Sequence, residues 1–196
     1  MAQLTESEKA LLGVFPSDKF QEFETAIRNS NNNPDSEPFA ILAKNDIYIT
    51  AVVNGKDANG MGPLEIAASL GYANILLDLA DKTYTNIRNI PASDAEAVAE
   101  IDVRKKAAVI EIDKAIQKFN TIPEDTIVDA AKDAGHPISQ SAVSGYRSRT
   151  IRNLNDYKRR IEYITAGGKR RKTKTRKNNS KSKSKKRRTT KKTVRR

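Results

Sequence analysis

The chain of 196 residues has no cysteine, no tryptophan and a single histidine. Without cysteine there is no disulfide framework, no cysteine-based zinc finger and no thiol nucleophile. One histidine cannot make a histidine-based metal site. His136 lies between Gly135 and Pro137, where it shapes a turn or is solvated. No uninterrupted apolar run approaches the ~20 residues that a membrane span needs. The N-terminus, MAQLTESEKALLGVF, lacks the basic start and apolar stretch of a secretory signal. Phosphate-cradling patterns of the G-x-x-x-x-G-K-S/T and G-x-G-x-x-G kinds do not occur. Carboxylate pairs such as Glu100/Asp102 and Glu124/Asp125 suit solvated helix faces and helix N-termini. A soluble, intracellular, non-enzymatic protein without cofactor or metal is expected.

Acid is missing from one place in particular. Residues 169–196 hold 17 of the 36 Lys/Arg and no Asp or Glu. The first 168 residues keep 19 Lys/Arg against 24 Asp/Glu, so the formal charge of +12 comes from the tail.

What is present centres on residues 53–82, VNGKDANGMGPLEIAASLGYANILLDLADK. A turn-rich lead from Asn54 to Gly60 precedes a short apolar helix expected over 63–70. Pro63 fits its first turn, where a missing N–H costs nothing. Gly71 supplies the positive φ that ends that helix and lets the chain double back. A second helix is expected from about Ala73 to Ala80. Leu64, Ala67 and Ala68 share one face of the first, and Ile75, Leu76 and Leu79 one face of the second.

These residues resemble one ankyrin repeat. Asn54, Lys56, Asp57, Asn59, Gly60, Pro63, Leu64, Ala67, Ala68, Gly71, Ile75 and Leu79 fall in the register of that family's pattern. Gly62 stands where the family has Thr, and Glu65 where it has His. The resemblance implies a packing unit for protein recognition, with Pro63, Leu64, Ala67, Ala68, Gly71, Ile75 and Leu79 as its structural core. A lone repeat cannot bury its faces, so residues 17–50 are read as a degenerate preceding repeat or a helical cap. Phe20, Phe23, Ala26 and Ile27 give a helix there, residues 39–43 another, and 47–53 a strand or extended lead. Ahead of them, Thr5 and Glu8 form a capping box for a helix over 5–13.

Beyond Ile90-Pro91 the pattern is of long helices. A second capping box, Ser93 to Glu96, opens a helix to about Asn120, with Val98, Ile101, Ala108, Ile112, Ala115 and Phe119 along one stripe. A shorter helix is expected over 124–134 and a final one over 139–166. In the last, Val143, Arg147, Thr150, Leu154, Tyr157, Ile161 and Ile164 form a seam that wants a partner helix, in the same chain or a second copy. Residues 126–144 also look like a helix-turn-helix of the bacterial repressor type, with Ser139 capping the second helix and Gln140, Ser141, Ser144, Arg147 and Arg149 facing DNA. His136-Pro137 makes the turn two residues longer than that motif uses.

The tail is Lys/Arg interleaved with Ser, Thr and Asn, and self-repulsion keeps such a segment disordered when free. Its basic residues include Lys169, Arg170, Arg171, Lys172, Lys174, Arg176, Lys177, Lys185, Lys186, Arg187, Arg188, Lys191, Lys192, Arg195 and Arg196. Lys169–Lys172 and Lys185–Arg188 stand 12 residues apart, like the clusters of a bipartite nuclear import signal. With no aromatic, the tail can only read charge, so its expected partner is nucleic acid or another polyanion bound through phosphates. In composition and architecture the whole is similar to basic-tailed ankyrin-type proteins of large nucleocytoplasmic DNA viruses.

The expected fold is all-α. It comprises an ankyrin-like stack over 1–90, a helical bundle over 91–166 and a disordered basic tail over 167–196. The leading expectation for function is an adaptor, in a nucleus or a virion, whose body binds a protein and whose tail binds nucleic acid. A structural virion component and a helix-turn-helix regulator are the alternatives.

Overall fold

The structure, a computed structural model, describes residues 4–13, 15–42 and 52–165. These are helices and their connections, with no strand among the described residues. The expectations placed on the basic tail, and on residues 47–51 as strand or lead, lie outside them. Residues 52–54 are helical rather than extended, and Val52 and Val53 are buried.

Helix α1 spans Glu6–Leu12. Its capping box forms as read: Glu8 N donates to Thr5 Oγ1 at 3.3 Å and Thr5 N to Glu8 Oε2 at 2.7 Å. Helix α2, Ser17–Asn29, follows Pro16 and buries Phe20, Phe23, Ala26 and Ile27. Asn31 and Asn32 end it with φ of 50° and 58°. Asparagine tolerates this left-handed region better than other side chains. Helix α3, Glu37–Leu42, places Phe39 in the core.

The hairpin follows. Asp57 Oδ1 accepts from Asn59 N at 2.8 Å and Met61 N at 2.7 Å, tying the lead into a turn. Helix α4, Pro63–Ser69, has Pro63 in its first turn. At its end Tyr72 N donates to Ala67 O at 3.0 Å and Gly71 N to Ala68 O at 3.1 Å, around a Gly71 φ of 74°. Helix α5 runs Ala73–Asn89, nine residues past the expected Ala80. Polar Asp81 to Asn86 reads as a terminator, but Thr83 Oγ1 bonds back to Leu79 O at 2.7 Å and Ile87 is fully buried.

Helix α6 spans Ala95–Thr121. Its cap is Asp94, accepting from Ala97 N at 2.9 Å, while Ser93 bonds only the Asp94 carboxylate. Helix α7, Glu124–Asp133, is closed by Gly135. A 3₁₀ turn, Gln140–Ala142, leads into α8, Val143–Glu162. The seam read in α8 is its inner face: Val143, Thr150, Leu154 and Ile161 are buried. Its partners are α6 and also α5, both in the same chain. Full burial of Leu154 and Ile161 contributes about 2 kcal/mol each. That exceeds what propensity alone can give an isolated helix of this composition.

Helix α4 is enclosed, with α2, α5 and α6 all packed against it. One apolar cluster runs from Phe20 through Leu64, Leu79 and Ile112 to Ile161, so residues before and after position 90 share a core. Helix α1 rests on α6 through a smaller cluster of Leu12, Val53, Val103 and Ala107.

Candidate functional site

The residues singled out in the hairpin come together. Pro63, Leu64, Ala67, Ala68, Gly71, Ile75 and Leu79 are all buried. Gly71 is needed twice over. Its φ is positive, and a Cβ there would meet Thr126 O at 2.9 Å, so the start of α7 sits directly on it.

The two departures from the repeat pattern also have physical roles. Glu65 turns back on its own helix and accepts from Gly62 N at 3.5 Å. Gly62 leaves room for a carboxylate: a Cβ there would lie 2.5 Å from Glu111 Oε2. Glu111 is buried on α6 and is matched by Lys56 from the turn and by Lys114 at 3.0 Å. A buried carboxylate persists only when paired and hydrogen-bonded in this way. The exposed part of the hairpin is the turn tip at Ala58, Asn59 and Gly60.

A residue with no motif attached holds this arrangement from outside. Asn32 is 0 % exposed. Its Oδ1 accepts from Asn74 N at 2.8 Å and Ile75 N at 3.4 Å, capping α5, which has no cap of its own at Tyr72. Its Nδ2 donates to Ala130 O of α7 at 3.4 Å, and Asn74 Nδ2 donates to its carbonyl at 3.2 Å. Tyr146 of α8 joins too. Burial raises its hydroxyl pKa, and a hydrogen bond with the Asn32 side chain opposes that shift. In the sequence, Asn31-Asn32-Asn33-Pro34 reads only as a loop. The one signal for more is a run of three asparagines, a residue type that can both cap and sit at positive φ.

The five side chains of the repressor-like segment are distributed differently. Arg147 turns inward and caps α6, donating to Asn120 O at 3.3 Å and Ile122 O at 2.7 Å. Gln140 donates to the carboxylates of Glu124 at 3.4 Å and Asp125 at 3.2 Å. Ser141 pairs with Ser139 at 3.0 Å. Ser139 makes no side-chain cap, and Gln140–Ala142 form a 3₁₀ turn where the motif would begin its reading helix. Val143 points into the core as read. Ser144 and Arg149 are exposed. On α7, Glu124, Asp125, Asp129 and Asp133 are exposed, and the first two hold Gln140.

His136 is exposed in its turn, with its N–H on Ala131 O at 2.9 Å. No group of His, Asp or Glu among the described residues could hold a metal ion, and no described helix is long and apolar enough to cross a membrane. No known protein family matches this chain, and no curated protein or solved structure matches it.

Proposed function

We propose that this is a non-enzymatic interaction protein whose basic tail binds nucleic acid through its phosphates and whose ankyrin-like body binds a protein. The observation that carries the reading is the separation of charge: 17 Lys/Arg and no acid in residues 169–196, on a body of net −5. Each phosphate neutralised releases a counterion, which drives sequence-indifferent binding. The body supports the second half of the reading less directly. Its hairpin keeps the repeat-like register, its helix α4 is enclosed, and its turn tip at Ala58, Asn59 and Gly60 is left open to a partner. The paired basic clusters suit a nucleus or a virion.

Titration of a labelled duplex over a salt series tests this, using the full chain and a chain ending at Ala166. All residues of the apolar clusters lie at or before Ile164, so the shorter chain is expected to fold, and its thermal transition checks that it does. The full chain should show log affinity falling by about 0.9 per phosphate engaged for each unit of log salt. The shorter chain should lose nearly all binding. A folded shorter chain with undiminished affinity would overturn the reading.

A further inference from the structure

The tail meets the body at the end of α8, and α8 itself is unbalanced in charge. It carries six Lys/Arg and two acids, Asp156 and Glu162. Arg147 is occupied by the end of α6, and Lys158 by Asp113 of α6 at 2.7 Å. The remaining four, Arg149, Arg152, Arg159 and Arg160, are exposed. At 100° per residue they fall on the face opposite Val143, Leu154 and Ile161, within one broad outward stripe. The stripe extends about 16 Å along the helix.

Elsewhere many basic side chains are matched, and the exceptions among the described residues, Arg88, Lys118 and Lys132, stand singly on three different helices. On α2, Lys19 pairs with Glu22 and Arg28 with Glu24. On α6, Arg104, Lys105, Lys106 and Lys114 all have carboxylate partners. On the α8 stripe, Arg149 and Arg152 have no carboxylate partner among the described residues. Arg160 lies over the Tyr157 ring at 5.4 Å. Arg159 reaches Asp156 only at 3.5 Å, with both side chains more than half exposed, a pair worth little. Asp156 is the one acid on the stripe.

Two further features are on the same face. Gly145 and Ser148 are small and exposed just before Arg149, so a backbone can approach the helix closely at the start of the stripe. Tyr163, just past the last turn, is 81 % exposed. A large ring held open to water beside Arg159 and Arg160 has no packing role in the body. The tail that follows contains no aromatic residue.

We propose that the outer face of α8 is a platform for single-stranded nucleic acid, with Arg149, Arg152, Arg159 and Arg160 holding phosphates and Tyr163 stacking on an unpaired base. It rests on the reading of the tail as a nucleic-acid-binding arm and adds what the tail lacks. Charge alone does not distinguish a single strand from a duplex, whereas a stacking ring needs a base out of its pair. The platform therefore sets strand preference, and the tail supplies sequence-indifferent affinity.

The test uses the full chain with labelled oligothymidylate and a duplex of equal length, each over a salt series. Tyr163→Ala should weaken oligothymidylate binding about fivefold or more, the low end of one lost stack, and leave duplex binding within about twofold. Tyr163→Phe, which keeps the ring, should bind like the unaltered chain. Replacing the four stripe arginines together by glutamine should lower the salt slope on the single strand by about 0.7 for each phosphate no longer held. Thermal melts should be unchanged throughout, since these side chains are exposed. If Tyr163→Ala and the glutamine variant both bind both probes as the unaltered chain does, the platform is refuted and the tail reading stands. If the unaltered chain binds neither probe, both fall. Equal weakening by Tyr163→Ala and Tyr163→Phe would also refute stacking.

Discussion

The α4–α5 hairpin and the α7–α8 segment both carry a motif-like spacing, and only in the first do the spaced residues sit together. In the hairpin, Pro63, Ala67, Ala68 and Gly71 act on their immediate neighbours in the chain. A first-turn proline and a left-handed glycine impose backbone geometry wherever they occur. In α7–α8, the same kind of spacing depends on what surrounds it. Arg147 meets the open carbonyls at the end of α6, and Gln140 meets two carboxylates of α7. Turn chemistry is local and survives translation from sequence to structure. The direction in which a polar side chain points is tertiary and does not.

The sharpest test of that contrast is Asn32, whose role is wholly tertiary. Asn32→Ala leaves the N–H groups of Asn74 and Ile75 without their acceptor and adds backbone strain at φ 58°. A loss of about 3 kcal/mol in urea denaturation is expected. Asn32→Gly relieves the backbone but not the cap. If it restored full stability, the capping role would be refuted.

The two glycines that close α4 and α7 come next. Gly71 and Gly135 have φ of 74° and 76°, so the conformational cost of alanine is alike, about 1–2 kcal/mol. Only at Gly71 would the added Cβ also strike Thr126 O, while at Gly135 nothing lies within 4 Å. Gly71→Ala should therefore be the more destabilising by about 1 kcal/mol or more. Equal losses would mean that α7 does not rest on the hairpin as described.

Arg147→Ala should cost about 1 kcal/mol by removing the α6 cap, and Arg149→Ala nothing measurable. The reverse order would favour Arg147 as a surface residue.

The smallest effect concerns α1. Glu8 is held down to about 2 by Lys106 of α6 and by the backbone N–H of Thr5, against an ordinary value of 4.5. A carboxylate depressed in the folded state stabilises it above its ordinary pKa, and that contribution fades as pH falls from about 4.5 toward 2. The unaltered chain should lose more melting temperature across that window than Glu8→Gln does. Parallel losses would show that α1 is not held by this pair.

Much of the fold was legible for the reason the hairpin was. Apolar stripes at helical spacing placed α2, α6 and α8, and most of each stripe is buried, with Val98 of α6 and Arg147, Tyr157 and Ile164 of the last seam only half-buried. The ends of elements went less well wherever a distant neighbour decided them. Helix α5 continues past Ala80 because Ile87 finds a buried place that Asp81 to Asn86 gives no hint of. Residues 52–54 are helical because Val53 packs with Leu12 and Val103, and not as the alternating pattern suggests. Gly62, which departs from the repeat pattern, makes sense only once Glu111 is seen beside it. Of the exposed arginines of α8 only Arg149 was singled out, in the repressor-like segment, while Arg152, Arg159 and Arg160 were hidden by the seam on the other face.

The Asn32 joint has a consequence in time. Asn32 and the carbonyl of Ala130 are separated by 98 residues. At about 5–20 residues per second, the ribosome leaves some 5–20 s between making the one and making the other. Once Asn74 and Ile75 are made, 42 and 43 residues after Asn32, the start of α5 can be capped but is not tied to α7 until Ala130 follows, and Tyr146 comes later still. The basic tail is made only after every residue of the joint.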